Sequence, residues 1–81
     1  MRGELDKGEE MHNKALEIAE KVGLQEEMAN QYGNLGLIYK MRGDKKNALE
    51  YWERALSLFK KIGMEPDVKK AQRWIEKANQ N

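Results

Sequence analysis

Glu9 and His12 stand three residues apart, the spacing at which a carboxylate and an imidazole on one helical face could share a metal ion. Carboxylate-bridged di-iron bundles need a second such pair and two further inward glutamates. The chain has 81 residues and one histidine, so that set cannot be completed, and His12 reads instead as a packed or half-buried residue. Nucleophilic chemistry fares no better. Ser57 is the only serine, threonine and cysteine are absent, and His12 belongs to a different segment. A hydroxyl without a neighbouring base is not activated. The glycines are spaced as helix ends and close-packing positions, and no phosphate-cradling loop is formed. The expectation is a protein that is not an enzyme and that needs neither cofactor nor metal.

Composition narrows the partner class. Charged residues make up 36% of the chain and nearly cancel, for a net charge of +1. A nucleic-acid binder would carry a clear basic excess, so no nucleic-acid partner is expected. The two halves differ, with net −3 over residues 1–40 and net +4 over residues 41–81. Without cysteine there is no disulfide framework and no thiolate metal site. No apolar run approaches the ~20 residues of a membrane span, and no leader pattern opens the sequence. A cytoplasmic protein without a membrane partner is the expectation.

Any functional side chains must be positioned by helices. Leu5, Gly8, His12, Ala15, Ala19 and Val22 recur at steps of three and four, widened by Met11, Leu16 and Ile18, with Glu9, Glu10, Glu17 and Glu20 off the stripe. Gly23 supplies a helix-ending residue. A second helix is predicted over roughly Gln25 to Met41, facing inward with Met28, Tyr32, Leu35, Ile38 and Tyr39. A third runs from an Asp44 N-cap to Gly63, burying Ala48, Tyr51, Trp52, Ala55, Leu56, Phe59 and Ile62. Glu65-Pro66-Asp67 opens a fourth, which carries Val68, Ala71, Ile75 and Ala78. Links of two to four residues force antiparallel neighbours. The predicted class is all-α, with helical hairpins stacked as a short four-helix solenoid.

The pattern also repeats. Met1-Arg2-Gly3 returns as Met41-Arg42-Gly43, and the same offset pairs Glu10 with Glu50, Ala15 with Ala55, Leu16 with Leu56, Lys21 with Lys61 and Gly23 with Gly63. Within the fullest unit, Tyr32, Leu35, Gly36, Tyr39, Ala48, Trp52 and Ala55 form a large–Leu–Gly–aromatic run followed by small–large–small positions. This resembles the tetratricopeptide repeat. The offset of forty exceeds the family's usual ~34 residues, and Lys60 stands where a proline often ends the unit. Both features are similar to the long-helix variety found in spindle-orientation and signalling adaptors.

On that resemblance the chain is a single domain over residues 1–81. Residues 1–23 are the second helix of a partial repeat, 24–63 a complete repeat, and 64–81 a capping helix whose Ile75-Glu76 replaces Leu-Gly. Gly3 and Gly43 are expected at the same helix-ending position, as though the array were cut inside a repeat. The resemblance implies a module that holds a protein or peptide in a concave groove lined by the first helix of each hairpin, with an acidic segment the kind that its lysines and arginine would suit. Asn30, Asn34 and Leu37, with Gly33 and Lys40, fall there on the second helix; Lys70, Arg73, Trp74 and Lys77 fall there on the fourth. In similar proteins an asparagine just before Leu-Gly, the place of Asn34, contacts bound peptides. Asparagine suits a peptide backbone, and lysine and arginine suit carboxylates. The bland alternative is a solvated charged face. A second reading is self-association through the first helix, whose stripe Leu5, Met11, His12, Ala15, Ile18 and Val22 is left short of a partner.

Overall fold

The computed structural model describes residues 2–80. Four helices follow in order: α1 Arg2–Val22, α2 Gln25–Met41, α3 Lys45–Ile62 and α4 Glu65–Asn79. Among the described residues there is no strand. Each link turns on a glycine in the left-handed region, Gly23 at φ +84°, Gly43 at +83° and Gly63 at +75°. At Gly43 the Asp44 N–H reaches Tyr39 O (2.8 Å) and the Gly43 N–H reaches Lys40 O (2.9 Å). The Met64 and Gly63 amides repeat the pattern on Phe59 and Lys60. These bonds satisfy carbonyls that the helix end would otherwise orphan. Asp44 caps α3 by accepting from the Asn47 backbone N–H at 3.2 Å and from its side-chain amide at 2.6 Å. Those bonds hold the Asp44 carboxyl below its ordinary range.

Gly3 departs from expectation. It lies inside α1, outside the left-handed region, and a Cβ built there would meet nothing within 4 Å. A left-handed glycine is needed where a helix must be stopped and turned. Gly3 adopts helical dihedrals like its neighbours in α1, and no reversal of the chain is made there. Met1 of the same tripeptide lies outside the described residues.

The molecule measures 34 × 31 × 16 Å, less than two helix diameters in its thinnest direction. Small residues therefore decide how closely the helices approach. One core cluster joins Ala29 of α2, Ala55 and Phe59 of α3, and Val68 and Ala71 of α4, with Tyr32, Leu58, Ile62 and Met64 packed around it. The tightest approach is at Gly36, where an added Cβ would fall 2.3 Å from Trp52 Nε1. The indole fills the space that glycine leaves, and its N–H donates to Gly33 O at 3.1 Å. A buried polar atom is thereby satisfied within the packing that buries it.

On the other side of α2, α1 lies along Gly8, His12 and Ala19. Ala19 is fully buried, and a Cβ on Gly8 would meet Ile38 Cδ1 at 3.3 Å. The stripe of α1 is thus divided. Its α2-facing half is covered, while Met11, Ile18 and Val22 stay 68%, 61% and 65% exposed.

Candidate functional site

The side chains that looked chemical in sequence are tied to α2 and to different partners. The Tyr39 hydroxyl donates to Glu9 Oε2, and Arg42 Nη1 meets Glu9 Oε1 at 2.8 Å, while Arg42 Nη2 reaches Asp6. The Tyr39 hydrogen bond, then Arg42, lowers the Glu9 pKa. The same bond pushes the Tyr39 phenol up to about 12. His12 Nδ1 lies 2.7 Å from Gln31 Oε1, and Gln31 Nε2 donates to Glu27 at 2.8 Å. The Gln31 amide gives an N–H to Glu27 and turns its oxygen to the imidazole, an arrangement that suits the His12 tautomer with its proton on Nδ1. Glu9 and His12 thus fasten α1 to α2 at separate points, and among the described residues no group of three or more His, Cys, Asp and Glu could hold a metal.

The first helices of the hairpins, α2 and α4, meet across a cleft of about 220 Å3. Gly33, Trp52 and Trp74 form its floor, and Asn34, Leu37, Lys40 and Lys77 line the rest. The floor exists because Gly33 has no side chain: a Cβ there would come within 3.1 Å of the Trp74 ring. Trp74 leans in toward Trp52 with centroids 6.0 Å apart and ring planes tilted by 39°, within the distance at which aromatic pairs interact. Leu37 is 48% exposed beside this floor. A second hollow of about 230 Å3 shares Lys40 and Lys77 and adds Lys45, Gly43 and Ala78. Three lysines therefore border these two neighbouring hollows, and neither has an acidic side chain in its lining.

Of the groove residues expected from sequence, Asn34, Leu37, Trp74 and Lys77 come together. Asn30, Lys70 and Arg73 are exposed but do not line the cleft. Lys45 was missed because it opens a second helix, outside the faces expected to line a groove. Trp52 was expected only as core, although it also forms the floor. The offset of forty, which sets Trp74 at the place of Asn34, was the available signal that α2 and α4 offer different chemistry to one cleft.

A second surface runs along α1. Met11, Ile18 and Val22 are exposed around the half-buried Ala15, whereas Leu5 and His12, also half-buried, belong to the inner side of the helix. Beyond Val22, Leu24 is 52% exposed and joins Ile62 and Met64 in an open hollow of about 660 Å3, rimmed by Glu26 and Glu27.

This geometry has a solved counterpart. The solution NMR structure of a designed protein, DA05, is similar with a TM-score of 0.89 and 28% identity, over 96% of this chain and 78% of that one. No curated protein matches the chain. The family profile described as tetratricopeptide repeat matches residues 1–61, the span that includes the Leu35-Gly36 approach and the Trp52 knob. With that match added to hairpins packed through Gly36, Ala48, Trp52 and Ala55, the chain belongs to the tetratricopeptide repeat family.

Proposed function

We propose that the α2–α4 groove binds an extended peptide with one apolar side chain and neighbouring carboxylates, and that the chain acts as a non-enzymatic interaction module. The family suggests protein–protein interaction in general. The observation that carries the finer reading is the cleft itself, with an indole floor, Leu37 beside it, one amide at its rim and lysines along its border. The apolar side chain sits on Trp74 and Leu37. Asn34 offers a donor and an acceptor to the peptide backbone. Lys40, Lys45 and Lys77 attract the carboxylates, with Lys70 and Arg73 extending the cationic face of α4.

Trp74 supplies the probe. Acidic peptides with a single Leu or Phe, titrated into the protein, shift its indole emission. Asn34→Ala weakens binding about tenfold, the worth of a hydrogen bond or two. Lys77→Glu weakens it further, and affinity falls as salt rises. Affinities equal to wild type in both variants remove the groove from consideration.

A further inference from the structure

Lys40, Lys45 and Lys77 come from three different helices and line one hollow of about 230 Å3, with Gly43 and Ala78 completing its wall. All three lysines are exposed. Like charges gathered in one place repel unless something of opposite sign lies between them. Elsewhere the chain sets a glutamate one turn before a lysine, as in the 3.6 Å pairs of Lys14 with Glu10 and Lys21 with Glu17. These three lysines lack such a neighbour. Four residues before Lys77 stands Arg73, four after Lys45 stands Leu49, and four before Lys40 stands Gly36. Asp44, four after Lys40, spends its carboxylate on the backbone and side-chain amides of Asn47. Asn47 in turn lines a separate small hollow with Glu50, Tyr51 and Arg54. No carboxylate among the described residues pairs with Lys40, Lys45 or Lys77. Lys45 also opens α3, so the positive end of that helix dipole adds in the same sense.

We propose that this hollow takes the phosphate of a phosphorylated serine or threonine, carried by the peptide whose apolar side chain enters the neighbouring cleft. The inference rests on the groove reading above and adds what the cationic end of the groove selects. Three unneutralised lysines answer a dianion with several oxygens better than a lone carboxylate, which would leave an excess of positive charge. The donor type points the same way. A planar carboxylate is best gripped by the fork of an arginine, whereas ammonium groups are point charges that can surround a tetrahedral anion. Arg73, the arginine of α4, does not line the hollow. Lys40 and Lys77 belong to both hollows, so a phosphate held between them leaves the adjoining part of the peptide over Trp74 and Leu37. Because each lysine rides on a different helix, the site is assembled only by the stacked fold.

The test uses fluorescein-labelled peptides, identical but for serine, glutamate or phosphoserine near a single leucine, titrated into the 81-residue chain and read by anisotropy. The phosphoserine peptide is expected to bind about fivefold tighter than the glutamate one, the scale of one exposed ion pair gained, with serine the weakest. That preference shrinks as pH falls through about 6, where the phosphate takes up its second proton. Lys45 lines the lysine hollow but not the apolar cleft. Lys45→Ala therefore cuts the preference to about twofold or less and leaves the serine peptide unchanged. Asn34→Ala weakens all the peptides alike, and circular dichroism checks that both variants keep their helices. Equal affinity for phosphoserine and glutamate overturns the proposal and leaves the groove reading standing. A preference indifferent to Lys45→Ala overturns it as well. If no peptide saturates the protein, the proposal and the groove reading fall together. Competition by adenosine monophosphate as strong as that by the phosphopeptide also overturns it, because the indole floor and the lysines would then serve a nucleotide.

Discussion

Glu9, Tyr39 and Arg42 form one fastening between α1 and α2, and their titration gives it a pH signature. The folded pKa of Glu9 is lowered, so its contribution is present above the unfolded carboxylate value and is lost as pH falls through the folded one. Tyr39 works in the opposite sense. Its pKa is raised from 10.0 to about 12, so its contribution is complete below pH 10 and is lost between there and about 12. Ultraviolet titration of the phenols should show a late step near pH 12 that Tyr39→Phe removes. The same variant should cost about 1 kcal/mol at neutral pH, since a half-exposed carboxylate loses a donor that water partly replaces. A Tyr39→Phe chain with an unchanged alkaline titration would sink this assignment. None of this was legible in the residues alone. Glu9-x-x-His12 looked like half of a metal site because the partners of both residues depend on how α1 registers against α2, which local spacing does not encode.

Helix ends and approaches were far more legible, because they depend on local constraints. A reversal needs a left-handed residue, and Gly23, Gly43 and Gly63 supplied it within a residue of the predicted bounds. Leu35-Gly36 opposite Trp52 was readable for the same reason, since a bulky knob needs an empty place. Gly3 misled because identity of residue at the repeat offset does not carry the backbone conformation with it: it lies inside α1 and not at a left-handed turn. These elements differ in what a methyl group does. Gly36→Ala drives a carbon into the Trp52 indole and should cost about 2–3 kcal/mol, as overpacking does. Gly43→Ala should cost about 1–2 kcal/mol from left-handed strain. Gly3→Ala should be neutral or stabilising by up to about 0.5 kcal/mol. Urea midpoints order the three, and a Gly3→Ala loss as large as that of Gly43→Ala would contradict the helical placement of Gly3.

Among the described residues the helices form a stack in which only the middle pair is clasped from both sides. α2 and α3 hold the fully buried Leu35, Ala55 and Phe59, whereas α1 and α4 each lie along one neighbour. In such a stack stability is a sum of nearest-neighbour terms. Amide exchange should therefore be slowest at Leu35, Ala55 and Phe59 and faster throughout α1 and α4. Uniform protection from α1 to α4 would show the stack to be one cooperative block. The two ends are not alike, with apolar side chains open on α1 and polar ones on α4. Sequence conveyed that difference through Glu76, but not which half of the α1 stripe α2 would cover.

Gly33 carries a consequence at this scale. The ring of Trp74 rests where its side chain would be, so the distance between α2 and α4 on the groove side is set by a single missing carbon. A longer array of such hairpins would inherit that distance as its bend. A methyl at position 33 would press on the Trp74 ring and ask it to yield by a few tenths of an ångström, so each such pair in an array would open slightly on its inner side.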